Sequence, residues 1–178
     1  MIFTKTTLAD AWVLDLEKRG DERGFFARTF CEQEFAAHGM VTRYAQMNTN
    51  FSARRGTLRG VHWQGAPHGE AKLVRCISGA AYDLIVDMRP ESPTYRQWEA
   101  FELTPANRRL LYVPPGFGHS FLALQDETEI TYFASVPYAP GAERGVRWND
   151  PGLGFTWAIE PTIVSEKDAA WPDYADPQ

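Results

Sequence analysis

The run AAYDLIVD, Ala80–Asp87, alternates residue by residue. Tyr82, Leu84 and Val86 share one parity, and Ala81, Asp83, Ile85 and Asp87 share the other. Successive side chains of a strand point to opposite faces, so the pattern predicts a strand with both faces partly apolar. Such a strand fits between a packed core and a lined cavity, with Asp83 turned inward. Ala71–Ile77, Gln97–Leu103, Arg109–Val113, His119–Leu124, Glu129–Ala134 and Gly154–Ile159 repeat the theme as short runs rich in Val, Ile, Phe, Tyr, Trp and Thr. Twelve prolines and fourteen glycines punctuate the intervals. Short strand-like runs at this spacing predict an all-β sandwich or barrel.

Helical pattern is scarce. Glu32–His38 predicts a short helix stopped by Gly39. Pro105–Arg109 and the segment after Ser165 each suit one turn, the latter with Ser165 as cap and Asp168 at the third helical position. The 178 residues suit a single domain, 1–178, able to bury its own core. With 44% hydrophobic and 23% charged residues, the chain has the balance of a folded protein and not of a disordered one. A net charge of −5 gives no support for binding nucleic acid or an anionic membrane. A local cluster of Arg and Lys can still hold a small anion. Cys31 and Cys76 stand far apart and outside any CxxC arrangement, so they read as two buried, reduced thiols. MIFTKTTLADAW lacks the apolar run of a signal peptide, and no stretch approaches the ~20 apolar residues that cross a bilayer. The expectation is a cytoplasmic protein.

Four histidines bound the acid–base chemistry: His38, His62, His68 and His119. His38 follows the short helix and reads as a surface residue, and His68 lies in the loop Gly65–Gly69. His62 and His119 stand in the apolar frames LRGVHWQ and PPGFGHSF. Each is either a hydrogen-bonded core histidine or a base poised near neutral pH. No HxH pair occurs, and two imidazoles are too few for an imidazole-rich metal site, so no metal is expected. Arg23, Arg59 and Lys72 lie beside Gly or in apolar frames, where Arg gives paired N–H bonds to phosphate and Lys a point charge. Gln46 and Asn48 alternate in YAQMNTNFS and face one side of a strand. Glu143 is either a salt-bridged loop residue or a ligand contact. Tyr132 and Tyr138 flank TYFASVPY. Either is a core aromatic, a proton donor to a developing enolate or a ring that stacks on a nucleobase.

Taken in order, DERGFFARTF (21–30), QMN (46–48), TLRGVHWQ (57–64), KLVRCISGAAYDLIVDMRPESPTY (72–95), YVPPGFGHSFLAL (112–124), VRWNDPGLGFTW (146–157) and VSEKD (164–168) resemble the dTDP-4-dehydrorhamnose 3,5-epimerase family over roughly the whole chain. LRGxH, VDxRxxSPT and the Pro-Gly segment before His119 are specific when found together. The resemblance implies a cupin-type jelly roll, usually a homodimer, without metal or cofactor. It also implies inversion at C3 and C5 beside the C4 ketone of a nucleotide-linked sugar. His62 then resembles the general base, Asp168 its partner, Tyr132 the general acid and Lys72 the group that steadies the enolate oxygen. Arg23, Gln46, Asn48, Arg59, His119, Glu143 and Lys167 resemble residues that hold sugar and diphosphate, and Tyr138 the ring that stacks on thymine. The ketone is already in the substrate, which agrees with a chain lacking GxGxxG and P-loop fingerprints.

Three positions depart from the family pattern. Arg28 stands where a Glu is usual, Met47 replaces Asp in QDN, and Ser120 replaces Gly in GHGF. The expectation places Met47 and Ser120 near the ligand and makes Arg28 a charge inversion beside the nucleotide or sugar.

Overall fold

The computed structural model describes residues 1–175, so the last three residues of the expected domain lie outside it. Two sheets face each other. The first has the order β1 (Ile2–Lys5), β2 (Trp12–Asp15), β10 (Leu110–Val113), β7 (Lys72–Ser78), β12 (Thr128–Ala134), β5 (Gln46–Ser52). The second has the order β13 (Glu143–Gly145), β6 (Thr57–Gln64), β11 (Phe117–Ala123), β8 (Ala81–Asp87), β9 (Trp98–Leu103). These pairs are antiparallel, while the short β14 (Ile163–Val164) lies parallel on β6. β3 (Arg19–Asp21) and β4 (Gly24–Phe26) form a separate exposed hairpin. The helices are α1 (Glu32–Ala37) and α2 (Glu166–Ala169).

Alternation explains the core. Val74 and Cys76 of β7, Ile130 of β12 and Leu111 and Val113 of β10 point inward from the first sheet. Ala81 and Ile85 of β8 and Phe117 and Phe121 of β11 meet them from the second. Each large apolar side chain so buried contributes roughly 1.5–3 kcal/mol. β8 is buried on both faces, because Val86 joins a second cluster with Val61, Val146 and Leu153 on its other side. The expected sandwich and the two-faced central strand are both present.

Helix α1 ends as the sequence predicts, with Gly39 at φ +72. The Ser165 hydroxyl caps α2, accepting from the Asp168 N–H at 3.0 Å. Pro105–Arg109 makes the expected single turn, closed by the Arg108 N–H on the Thr104 carbonyl at 3.0 Å and opened by Thr104 and Asn107, which exchange side-chain-to-backbone hydrogen bonds of 3.1 and 3.0 Å. Three expectations fail. Gly154–Ile159 is not a strand: Phe155 and Trp157 pack on Trp98 and Tyr82 outside the second sheet, so their apolar character comes from side-chain packing without a ladder. His38 is half-buried and stacks on Phe3 with ring centroids 3.9 Å apart. Both cysteines are free, but only Cys76 is buried and Cys31 is half-buried.

Candidate active site

The site begins with an irregularity in β6. His62 pairs with His119 of β11, and Arg59 pairs with Phe121. Three residues on β6 are thus matched to two on β11, which is one extra residue, a β-bulge. Strict alternation would put Arg59 and His62 on opposite faces. Directly paired residues share a face, as do His119 and Phe121, so the bulge puts all four on the inner face. Gly60 makes this possible. Its φ is +110, and a Cβ there would lie 2.5 Å from the His119 carbonyl oxygen. Only glycine allows this approach without strain.

The opposite wall comes from the first sheet. Tyr132 pairs with Asn48 on β5 and Val74 on β7, and Ile130 pairs with Asn50. Gln46, Asn48, Asn50, Tyr132 and Lys72 therefore share the inner face. Lys72 is 7% exposed, and its amine lies 3.1 Å from Glu70. The roof comes from α2, carried to the second sheet by the pairing of β14 with β6. It delivers buried Asp168 and exposed Lys167.

These walls enclose two adjoining cavities. One, of 290 Å³, is lined by Arg59, His119, Lys167 and Asp168 among others. The other, of 220 Å³, is lined by Gln46, Asn48, Glu70, Tyr138 and Glu143 among others. His62, Lys72 and Tyr132 belong to both. The first is rich in cations, whereas the second has amides, two carboxylates and an exposed ring.

Electrostatics sets the states of the groups. Burial, followed by the charges of Lys72, His119 and Lys167, pushes the His62 imidazole down to about 3. His62 is therefore neutral at pH 7. Burial and the Glu70 charge push the Tyr132 hydroxyl above its ordinary value, against the opposing effect of Asn48 and Asn50, so it keeps its proton. A hydrogen bond to Glu143 raises Lys167, and the two lie 2.6 Å apart. His119 Nε2 lies 2.8 Å from Asp83 Oδ1 on β8. Asp83 is fully buried, as the alternation in 80–87 predicts. Burial raises the facing Cys76 thiol to about 11, with Ser78 opposing and the Asp83 charge adding, which leaves it unreactive. Among the described residues, no group of three or more His, Cys, Asp or Glu could hold a metal ion.

The sequence profile of dTDP-4-dehydrorhamnose 3,5-epimerase matches residues 5–176. The chain belongs to this epimerase family. The dTDP-4-dehydrorhamnose 3,5-epimerase of Methanothermobacter thermautotrophicus is 42% identical over 173 residues, covering 95% of this chain and 92% of its own. The crystal structure of the family enzyme from Elizabethkingia anophelis NUHP1 superposes with a TM-score of 0.95 at 34% identity, covering 98% of this chain and 96% of that one. The enzyme from Bacillus anthracis str. Ames, crystallised with TDP and PPi bound, superposes with a TM-score of 0.91 at 36% identity, covering 97% and 99%. The sandwich is thus the cupin-like fold of the epimerase family.

Of the candidate residues of this epimerase, His62, Lys72, Tyr132, Asp168, Gln46, Asn48, Arg59, His119, Tyr138, Glu143 and Lys167 line the two cavities. Asp168 and His62 line the same cavity, one from the roof and one from the wall, without a direct hydrogen bond. Arg23 does not join them: it sits on the exposed β3–β4 hairpin with its guanidinium on Asp21. Met47 and Ser120 point away from the cavities, contrary to expectation, since each alternates with an inward neighbour. Met47 is 61% exposed on the outer face, and the Ser120 hydroxyl donates to the Arg59 carbonyl at 2.8 Å. Arg28 lies with Met1, Glu17, Arg19 and Phe26 around another cavity and is bonded to Glu34 at 2.7 Å. The sequence reading missed Glu70, Asn50 and Gln64. Asn50 was within reach, as the third member of the alternating series Gln46, Asn48, Asn50. Glu70 lies in a loop where no periodicity applies.

Proposed function

We propose that this epimerase takes dTDP-4-dehydro-6-deoxy-D-glucose, inverts C3 and C5, and gives dTDP-4-dehydro-L-rhamnose. The observation that carries the reading is the convergence of His62, Lys72 and Tyr132 on space common to both cavities. His62 comes from one sheet, and Lys72 and Tyr132 from the other. A sugar ring inserted between the sheets has the base on one face and the acid on the other, which inversion by proton removal and return requires.

Neutral His62 removes the proton beside the ketone. Lys72 faces the enolate oxygen and supplies electrostatic stabilisation, often the largest single contribution to such a step. Tyr132, held protonated, returns a proton from the far side. An imidazole held near 3 is a weak base, but the lowering comes partly from Lys72 and Lys167. A bound diphosphate neutralises these cations and moves the imidazole toward the working pH, where a general base is most effective. Asp168, lining the same cavity from the roof, then balances the charge of the ring. Arg59, His119, Gln46, Asn48, Glu143 and Lys167 hold the sugar and diphosphate, and Tyr138, 59% exposed at the mouth, stacks on the base. Arg23 fits this scheme through a homodimer in which the β3–β4 hairpin of a second copy reaches the mouth. We place the enzyme in the cytoplasm; no helix among the described residues is long and apolar enough to cross a membrane.

The test is incubation with the keto sugar in D₂O. Deuterium appears at C3 and C5. No incorporation with dTDP-, GDP- or CDP-linked 4-keto sugars would leave only a binding protein.

A further inference from the structure

We propose that Asp83 is a positioning residue of the active site: it holds the His119 ring so that Nε2–H donates to its carboxylate and keeps both ring nitrogens protonated, making His119 a fixed donor toward the oxygen of the reacting carbonyl. This rests on the epimerase reading and extends it to a side chain outside both cavities.

The geometry argues as follows. Asp83 is 0% exposed. Its Oδ1 has one side-chain contact, His119 Nε2 at 2.8 Å, and its Oδ2 is buried with no hydrogen-bond partner among the described residues. A buried carboxylate so poorly satisfied is costly, and a positive partner in contact is the arrangement that most reduces the cost. His119 is the cross-strand partner of His62, so their Cβ atoms are about 4.5–5.5 Å apart. The atom beside the carbon that His62 deprotonates is thus within reach of His119. Other charged and titratable groups around the ring are Arg59 and His62 on β6, Lys72 on β7, Tyr132 on β12, and Lys167 and Asp168 on α2. The cations among them oppose a second ring proton. Asp83 is the carboxylate in contact, and Coulomb energy falls with distance. Lys72 is arranged in the same way, with Glu70 at 3.1 Å behind it. The carbonyl oxygen is then met by two cationic donors, each backed by a carboxylate.

Two measurements test this. Nitrogen-15 spectra of the imidazoles at pH 7, assigned with His119→Gln, read the ring without any substrate. The expected result is an imidazolium signature for His119 in the wild type, changed to that of a neutral ring in Asp83→Asn. A neutral His119 in the wild type overturns the proposal, and so does a ring unchanged by the substitution. In turnover, Asp83→Asn is expected to lose about 10–100-fold in kcat, the size of one charge-assisted hydrogen bond, with TDP affinity and Tm nearly unchanged. Unchanged kcat overturns the proposal, as does a parallel loss of kcat, TDP binding and thermal stability. A wild type that binds TDP but exchanges no deuterium defeats the epimerase reading instead, and the spectra still decide the state of His119.

Discussion

Asp83 and Asp87 lie on one strand, four residues apart, on one face, both fully buried, yet they have opposite surroundings. Asp87 is saturated. Its Oδ1 accepts from the Arg89 backbone N–H at 3.1 Å and from Nε at 2.9 Å. Its Oδ2 accepts from Arg89 at 2.8 Å, from Thr94 at 2.7 Å and from Ser92. Burial raises this carboxyl, but the bonds from Arg89, Ser92 and Thr94 outweigh it and hold it below the usual range. Arg89 continues to Asp10 and the Ala9 carbonyl, tying the loop after β1 to the loop after β8. The VDMRPESPT string is therefore a brace. Asp83, with one oxygen unpaired and an imidazole on the other, sits behind a cavity. A satisfied buried network rigidifies, whereas an incompletely satisfied buried carboxylate is costly and leans on the one partner it has.

That contrast can be broken at either end. The largest effect is expected from His62→Ala, which should cut deuterium exchange by about 10²–10⁴-fold with folding intact. Asp87→Ala should do the reverse, costing about 3–5 kcal/mol in urea unfolding because Arg89, Ser92 and Thr94 lose their acceptor, with kcat per folded molecule retained. A loss of kcat without loss of stability would erase the distinction between brace and site. Gly60→Ala should cost both, since a Cβ 2.5 Å from the His119 carbonyl strains the bulge that aims Arg59 and His62.

Acidification sharpens the comparison. His62 is lowered in the fold to about 3, so the unfolded chain takes up its proton first. Stability should therefore fall as pH drops below about 6.5 and go on falling toward 3. Asp87 is also lowered, so its contribution is present above the unfolded carboxyl value of 3.8 and disappears as pH falls through its folded value. In urea titrations His62→Gln should flatten the upper part of this decline and Asp87→Asn the lower part. The smallest effect belongs to Lys167→Ala. Its pair with Glu143 is solvent-exposed on the lysine side, and such pairs contribute about 0–1 kcal/mol, so urea unfolding should show a loss of stability within that range.

Much of this was legible in the sequence. The alternation of 80–87 marked a strand buried on both faces with Asp83 inward, and the cap at Ser165 and the stop at Gly39 were local chemistry. The placing of Met47 and Ser120 failed because nearness in sequence to ligand residues was taken for nearness in space, although strict alternation turns each outward. Gly154–Ile159 failed because aromatic packing on a sheet's outer surface has the composition of a strand without its hydrogen bonds.

The sequence by itself determined which residues have the right chemistry and, wherever a strand is regular, which face each occupies, because side-chain parity is a property of the extended chain. Only the tertiary structure decided that Arg59 and His62, three apart, share a face: one extra residue at Gly60 reverses the parity, and it can be seen only against the register of β11. The fates of Asp83 and Asp87 were decided the same way. The strand fixes their direction, but their partners come from distant parts of the chain or from a loop whose path depends on the fold.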